Sequence, residues 1–122
     1  MHRFKDLEVW KLSRVFCKDI YLTTIKFPDS ERFGLTNQLR RASVSIASNI
    51  AEGSSRSSNK DFSRFLEIAI GSAYEIETQL LISSDLDFLN NEDLELLITK
   101  VDIIVRMIVR FRLTLSSNNP TI

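Results

Sequence analysis

The sequence predicts an all-α domain, an up-down-up-down antiparallel four-helix bundle. Two observations carry that expectation. Apolar residues recur at alternating spacings of three and four along four stretches, the signature of a helix with one buried face. Only three Gly and two Pro stand among 122 residues, which leaves few turns, and no alternating strand pattern competes. The bundle is expected over residues 1–116, with helices at about 5–26, 30–53, 58–86 and 91–116 and a frayed tail over 117–122.

The first helix carries two apolar stripes. Leu7, Trp10, Arg14, Cys17, Ile20 with Tyr21, and Thr24 form one; Val9, Leu12, Val15 with Phe16, and Ile20 form the other. Phe27-Pro28 ends it, because the residue before proline is pushed out of the α region, and Asp29 or Ser30 is placed to cap the next helix. The second helix carries Leu35, Leu39, Ala42, Ile46 and Ile50, with Gly53 as its C′ stop. Ser58 is expected to cap the third helix, whose Phe62, Phe65 with Leu66, Ala69, Ala73, Ile76, Leu80 and Ser83 face one way. The fourth opens with an Asn cap and acids in its first turn, where negative charge suits the helix dipole. Its seam runs Leu94, Leu97 with Ile98, Val101, Ile104 with Val105, Ile108, Phe111 and Leu115. More apolar surface is present than one core requires, since Ile103, Val109 and Leu113 flank this seam; that surplus predicts a homo-oligomer.

Several function classes fall away. A di-metal carboxylate bundle needs Glu-x-x-His on paired helices, and the one histidine is His2. Without a histidine in the body there is no Ser-His or Cys-His nucleophile. Cys17 alone makes neither a zinc site nor a disulfide framework and fits a reducing cytoplasm. A phosphate loop needs a second glycine followed by Lys and Ser or Thr, and Gly53 stands alone. The N-terminus lacks an apolar leader, and no run approaches the roughly 20 apolar residues of a membrane span. A cytoplasmic, non-enzymatic protein with no metal, no cofactor and no membrane partner is expected.

Two constellations remain. Gln38, Arg41, Ser45, Asn49 and Glu52 are spaced to form one polar stripe, and Ser72, Glu75 and Gln79 could face it from the third helix. They are read as a structural polar network that fixes register, with a solvated surface and a ligand pocket, in which Glu52 and Glu75 work as acid and base, as the alternatives. The second constellation is electrostatic. Sixteen basic and sixteen acidic residues cancel, yet bundle topology sorts them by end. One end collects seven cations, Arg3, Lys5, Arg56, Lys60, Arg64, Arg110 and Arg112, against Asp6, Glu8, Glu52 and Asp61. The other has Lys26 and Arg32 against Asp29, Glu31, Asp85, Asp87, Glu92, Asp93 and Glu95. Subunits packed side by side in one orientation would join their basic ends into a rim suited to the phosphates of RNA or DNA.

Several segments resemble the bacterial 23S rRNA intervening-sequence proteins, a family of small four-helix bundles that includes the accessory protein of diversity-generating retroelements. They are FKDLEVWKLS at 4–13, FP at 27–28, E-x-F-G-L-x-x-Q-L-R-R-A at 31–42, SIASNIAEG at 45–53 and F-L-E-I-A-x-G-S-x-x-E-x-E-T-Q-L at 65–80. The resemblance implies a side-by-side ring, a pentamer, with no known enzymatic activity and with nucleic acid or a protein such as a reverse transcriptase as partner. The chain departs from the basic retroelement proteins in its zero net charge. The function expected is an oligomeric scaffold or adaptor that contacts structured RNA or DNA through the basic rim; the alternative is a protein-only interaction module.

Overall fold

The computed structural model describes residues 2–117, so the tail expected to fray lies, apart from Ser117, outside the described residues. Four helices, α1 (Glu8–Thr24), α2 (Leu35–Ser54), α3 (Asn59–Asp85) and α4 (Asn91–Ser117), make up the fold, with short 3-10 turns at Phe4–Asp6 and Asp29–Glu31. Chain neighbours pack on each other and α1 closes against α4; neither diagonal pair touches. The result is the expected antiparallel four-helix bundle.

Which residues face the core follows the spacing, with one shift. On α2, α3 and α4 the predicted seams are the buried ones: Leu39, Ala42, Ile46 and Ile50; Phe62, Leu66, Ala69, Ala73, Ile76 and Leu80; Leu97, Val101, Ile104, Val105, Ile108 and Leu115. On α1 the buried line is Val9, Ser13, Phe16, Ile20 and Thr24, which runs between the two stripes read from the sequence. Ser13 and Thr24 can face apolar neighbours because their hydroxyls donate to their own helix, at Val9 O (2.7 Å) and Ile20 O (2.8 Å). Leu12, Val15 and Tyr21 are left outside.

The connections explain the other differences. Helix α1 ends at Thr24, before Pro28, and α2 starts only at Leu35. Asp29 and Ser30 do not cap α2; they lie in the 3-10 turn, and the Glu31 carboxylate instead accepts from Leu35 N at 3.1 Å. A Cβ on Gly34 would stand 2.7 Å from that Glu31 Oε1, so the glycine leaves the cap its room. The predicted N-caps of α3 and α4 are present: Ser58 Oγ accepts from Asp61 N (3.1 Å) and Asn90 Oδ1 from Asp93 N (2.8 Å). Helix α3 ends with Phe88 N donating to Ser83 O (2.9 Å) around Asp87, which takes a left-handed φ of 63°.

Gly53 is the clearest revision. It does not stop α2, which continues to Ser54; it is buried where α2 meets the first turns of α3. A Cβ there would lie 2.8 Å from Phe62 Cδ1 and 2.8 Å from Phe65 Cβ. Both neighbours sit on a packed helix, so neither can yield cheaply. Gly53→Ala is therefore expected to destabilise the fold by about 1–3 kcal/mol, read as a lower urea midpoint. Gly71→Ala, on an exposed face of α3 with nothing within 4 Å, is expected to stabilise by about 0.5–1 kcal/mol through helix propensity. Equal effects from the two substitutions would contradict this packing.

Candidate nucleic-acid interface

The described termini and connections fall at two opposite ends of the bundle. His2 N donates to Ser54 O at 3.4 Å, and the His2 ring meets Phe62 and Phe111 edge-on at centroid distances of 5.3 and 5.6 Å. Asn59 Nδ2 donates to Leu115 O at 3.2 Å. These contacts gather the N-terminus, the α2–α3 connection and the end of α4. At the far end Phe27 packs on Phe88, and Lys26 lies 3.9 Å from Asp93. The basic residues sorted by topology therefore do share one end.

Three of them converge further. Lys60 and Arg64 from α3 and Arg112 from α4 line an open groove of about 430 Å³ together with Asn59, Ser63, Glu67, Leu115 and Ser116. The spacing explains it: Asn59, Ser63 and Glu67 lie on one face of α3, with Lys60 and Arg64 one position round. Arg112 is held in place, its Nε donating to Ser63 Oγ at 2.9 Å and its Nη2 lying 3.5 Å from Glu67 Oε2. Arg64 makes a 3.5 Å pair with Asp61, both side chains largely exposed. Such exposed pairs contribute little and exchange readily for another anion. Lys60 has no ion pair among the described residues.

The other four basic residues surround this end without entering the groove. Arg56 pairs with Glu52 at 2.9 Å and lies over the Phe65 ring at 4.6 Å, so it is the most committed of the set. Arg3 pairs with Asp6 at 3.3 Å. Lys5 and Arg110 are exposed; Arg110 is two residues from Arg112 and so points about 200° away round α4. Asn59, Ser63 and Glu67 are not identifiable from sequence alone, because only the α3–α4 packing, across 49 residues between Ser63 and Arg112, assembles the groove.

The polar stripes of α2 and α3 do meet, but only in part. Ser45 and Ser72 hydroxyls bond each other at 2.8 Å, and Asn49 Nδ2 donates to Ser45 O (2.8 Å) and Ser45 Oγ (3.0 Å). Gln79 Nε2 donates to Gln38 Oε1 at 3.3 Å. These five residues are the bonded part of the stripes, in two separate cross-helix links, Ser45–Ser72 with Asn49 and Gln38–Gln79. Glu52 belongs to neither, being turned to Arg56. Arg41 and Glu75 line the same groove above these links, with Asn37, and neither makes an ion pair among the described residues. Glu52 and Glu75 thus do not share a pocket. Among the described residues no group of three or more His, Cys, Asp or Glu is arranged for a metal ion, and no helix is long and apolar enough to cross a membrane.

The sequence profile described as 23S rRNA-intervening sequence protein matches residues 5–110. A crystal structure of a protein with unknown function from the S23 ribosomal protein family, from Bacteroides thetaiotaomicron VPI-5482, superposes with a TM-score of 0.77 at 24% identity, covering 85% of this chain and 97% of that chain. At that identity the likeness is one of fold. No curated protein matches the chain.

The Ser45–Ser72 bond can be weighed by a double-mutant cycle. Each of Ser45→Ala and Ser72→Ala is expected to lower stability by about 1 kcal/mol. The double variant should lose about 0.5–1 kcal/mol less than the sum. Additive losses in chemical denaturation would show that the two hydroxyls are not coupled.

Proposed function

This chain belongs to the 23S rRNA-intervening sequence protein family, and we propose that it works as a non-enzymatic, homo-oligomeric scaffold that contacts the phosphates of structured RNA or DNA through its basic end. One observation carries the reading: Lys60, Arg64 and Arg112 converge on a single open groove of about 430 Å³, with Asn59 and Ser63 as neutral donors beside them. Arg3, Lys5, Arg56 and Arg110 surround it and extend the positive field. Zero net charge argues against indiscriminate binding to polyanions, but the far end of the bundle carries the compensating acids and would face away from the nucleic acid. A chain of this kind binds in one orientation.

Self-association is supported by apolar side chains that the bundle core does not use. Leu12, Val15 and Leu22 on α1 and Leu96, Ile103 and Val109 on α4 are at least 40% exposed. Leu12, Val15 and Ile103 flank a narrow apolar slot between these helices, closed at one edge by the 2.8 Å Lys100–Asp19 ion pair. Copies packed through this face in a common orientation would place their basic ends side by side, in keeping with a ring such as a pentamer. The same slot supports the second reading, a protein-only module with a partner such as a reverse transcriptase. The half-buried free thiol of Cys17 suits a cytoplasmic setting.

Two measurements test the reading. Binding to a structured RNA should weaken as salt rises, with a slope set by the phosphates neutralised. In the Lys60→Glu/Arg64→Glu variant affinity should fall at least about tenfold and the slope flatten by about 2; unchanged affinity, or no binding at low salt by the unmodified protein, would sink the nucleic-acid reading. Light scattering should give a mass several times 14.0 kDa. Val15→Asp with Ile103→Asp, both at exposed positions, should reduce it to that of one chain. A monomeric unmodified protein would sink the oligomer.

A further inference from the structure

The groove between α2 and α3 holds chemistry that neither the bundle core nor the basic end uses. It encloses about 390 Å³ and is lined by Asn37, Gln38, Arg41, Ser45, Glu75 and Gln79, with Ala42 and Ser72 at its floor. The floor is fixed: the Ser45 and Ser72 hydroxyls bond each other, and Asn49 is tied to Ser45. The walls are not. Arg41 stands on α2 and Glu75 on α3, both exposed, and no ion pair joins them, although both line one groove. Arg41 makes no hydrogen bond, ion pair or aromatic contact among the described residues, whereas Arg40 beside it donates to Thr24 Oγ1 at 2.9 Å and lies over Tyr21.

Gln79 belongs to the same lining. Its Nε2 donates to Gln38 Oε1, while its Oε1 is buried without a partner. Turning both amides over keeps the bond and leaves a buried N–H group orphaned in place of the oxygen. In either orientation one amide atom of Gln79 is unsatisfied, and it is buried rather than open to the groove. The groove therefore presents a carboxylate acceptor on one wall and a guanidinium fork on the other, both exposed and without an ion pair among the described residues.

We propose that this groove recognises the edge of an unpaired guanine base, with Glu75 accepting from the base's N–H groups and Arg41 donating to its ring nitrogen and carbonyl oxygen. Guanine is the base that combines adjacent N–H donors on its pairing edge with the O6 and N7 acceptors to which an arginine fork is matched. Adenine, cytosine and uracil each offer a carboxylate only one N–H position on that edge, with no second donor beside it. The exposed Gln38 amide then adds a contact along the base edge. The base comes either from a free guanine nucleotide or from a single-stranded position of a longer RNA. Lys60 is 12 residues, about 18 Å, from Ser72 along α3, so a strand held at the basic end passes within reach. The groove itself does not depend on that end.

Titration of the full chain with guanosine, GMP, AMP, CMP and UMP, followed by backbone amide NMR, tests this directly. Guanosine and GMP should perturb amides over residues 37–45 and 72–79, and GMP should bind at least about tenfold more tightly than the other three nucleotides. Arg41→Ala and Glu75→Gln, both at exposed positions that leave the fold intact, should each abolish that preference. Lys60→Glu should leave it unchanged, which separates this site from the phosphate contacts of the basic end. A second arm compares a uridine oligomer with the same oligomer carrying one guanosine. A guanine preference seen only in this arm, and lost in Glu75→Gln, assigns the base to a strand. A preference removed by Lys60→Glu but not by Glu75→Gln, or no guanine preference in either arm, would overturn the proposal.

Discussion

The close approach of α2 and α3 is the constraint on which the rest of the molecule depends. These two helices form the most extensive pairing in the bundle, and they meet through small residues. Ser45 on one side meets Ser72 on the other, and Gly53 lies against the Phe62 and Phe65 side chains, with Ala42, Ala69 and Ala73 also buried. Small side chains let helix axes come together, and the two serines then bond each other in place of water. That junction fixes the length by which α3 is offset from α2. The offset in turn sets where Lys60 and Arg64 stand relative to Arg112, and where Glu75 stands relative to Arg41.

The charge distribution depends on this frame. A neutral chain becomes a lengthwise polar object because antiparallel helices return their termini to the same two ends. At the basic end several cations have an acidic neighbour three or four residues away in the chain, as in Arg56 with Glu52 and Arg64 with Asp61. Those pairs are exposed and contribute little, so they do not lock the cations away from another anion. Lys100 with Asp19 differs: it lies half-buried between α1 and α4 and ties the two helices that carry the surplus apolar surface. On the proposed reading, one side of the bundle is for assembly, one end for phosphates, and the α2–α3 face for a base.

Much of this is legible in the sequence, and the misses have physical causes. The seams of α2, α3 and α4 can be read directly because apolar spacing reports one buried face. On α1 two stripes compete, and the buried line runs between them because Ser13 and Thr24 hide their hydroxyls in their own backbone. Ser13 stands in neither stripe because its hydroxyl marks it as polar, whereas Thr24 stands at the end of the first. Local rules favour Gly53 as a helix stop, yet it is buried inside α2 by Phe62 and Phe65, a contact no local rule contains. The polar stripe is visible in the spacing, but its division is not: Glu52 leaves it for Arg56, while Arg41 and Glu75 stay open above the serine floor. The basic end is legible from topology alone, and the groove within it needs the α3–α4 packing.

Photo-crosslinking of bound nucleic acid, with the adducts located by peptide mass spectrometry, tests the central claim most directly, because it reports position without altering a charge. The account predicts adducts concentrated over residues 56–64 and 110–116, at the end shared by the α2–α3 connection and the end of α4, with further adducts confined to the α2–α3 face over residues 37–45 and 72–79. Adducts concentrated at the acidic end, over residues 25–33 and 85–95, or spread evenly along the helices, would contradict it.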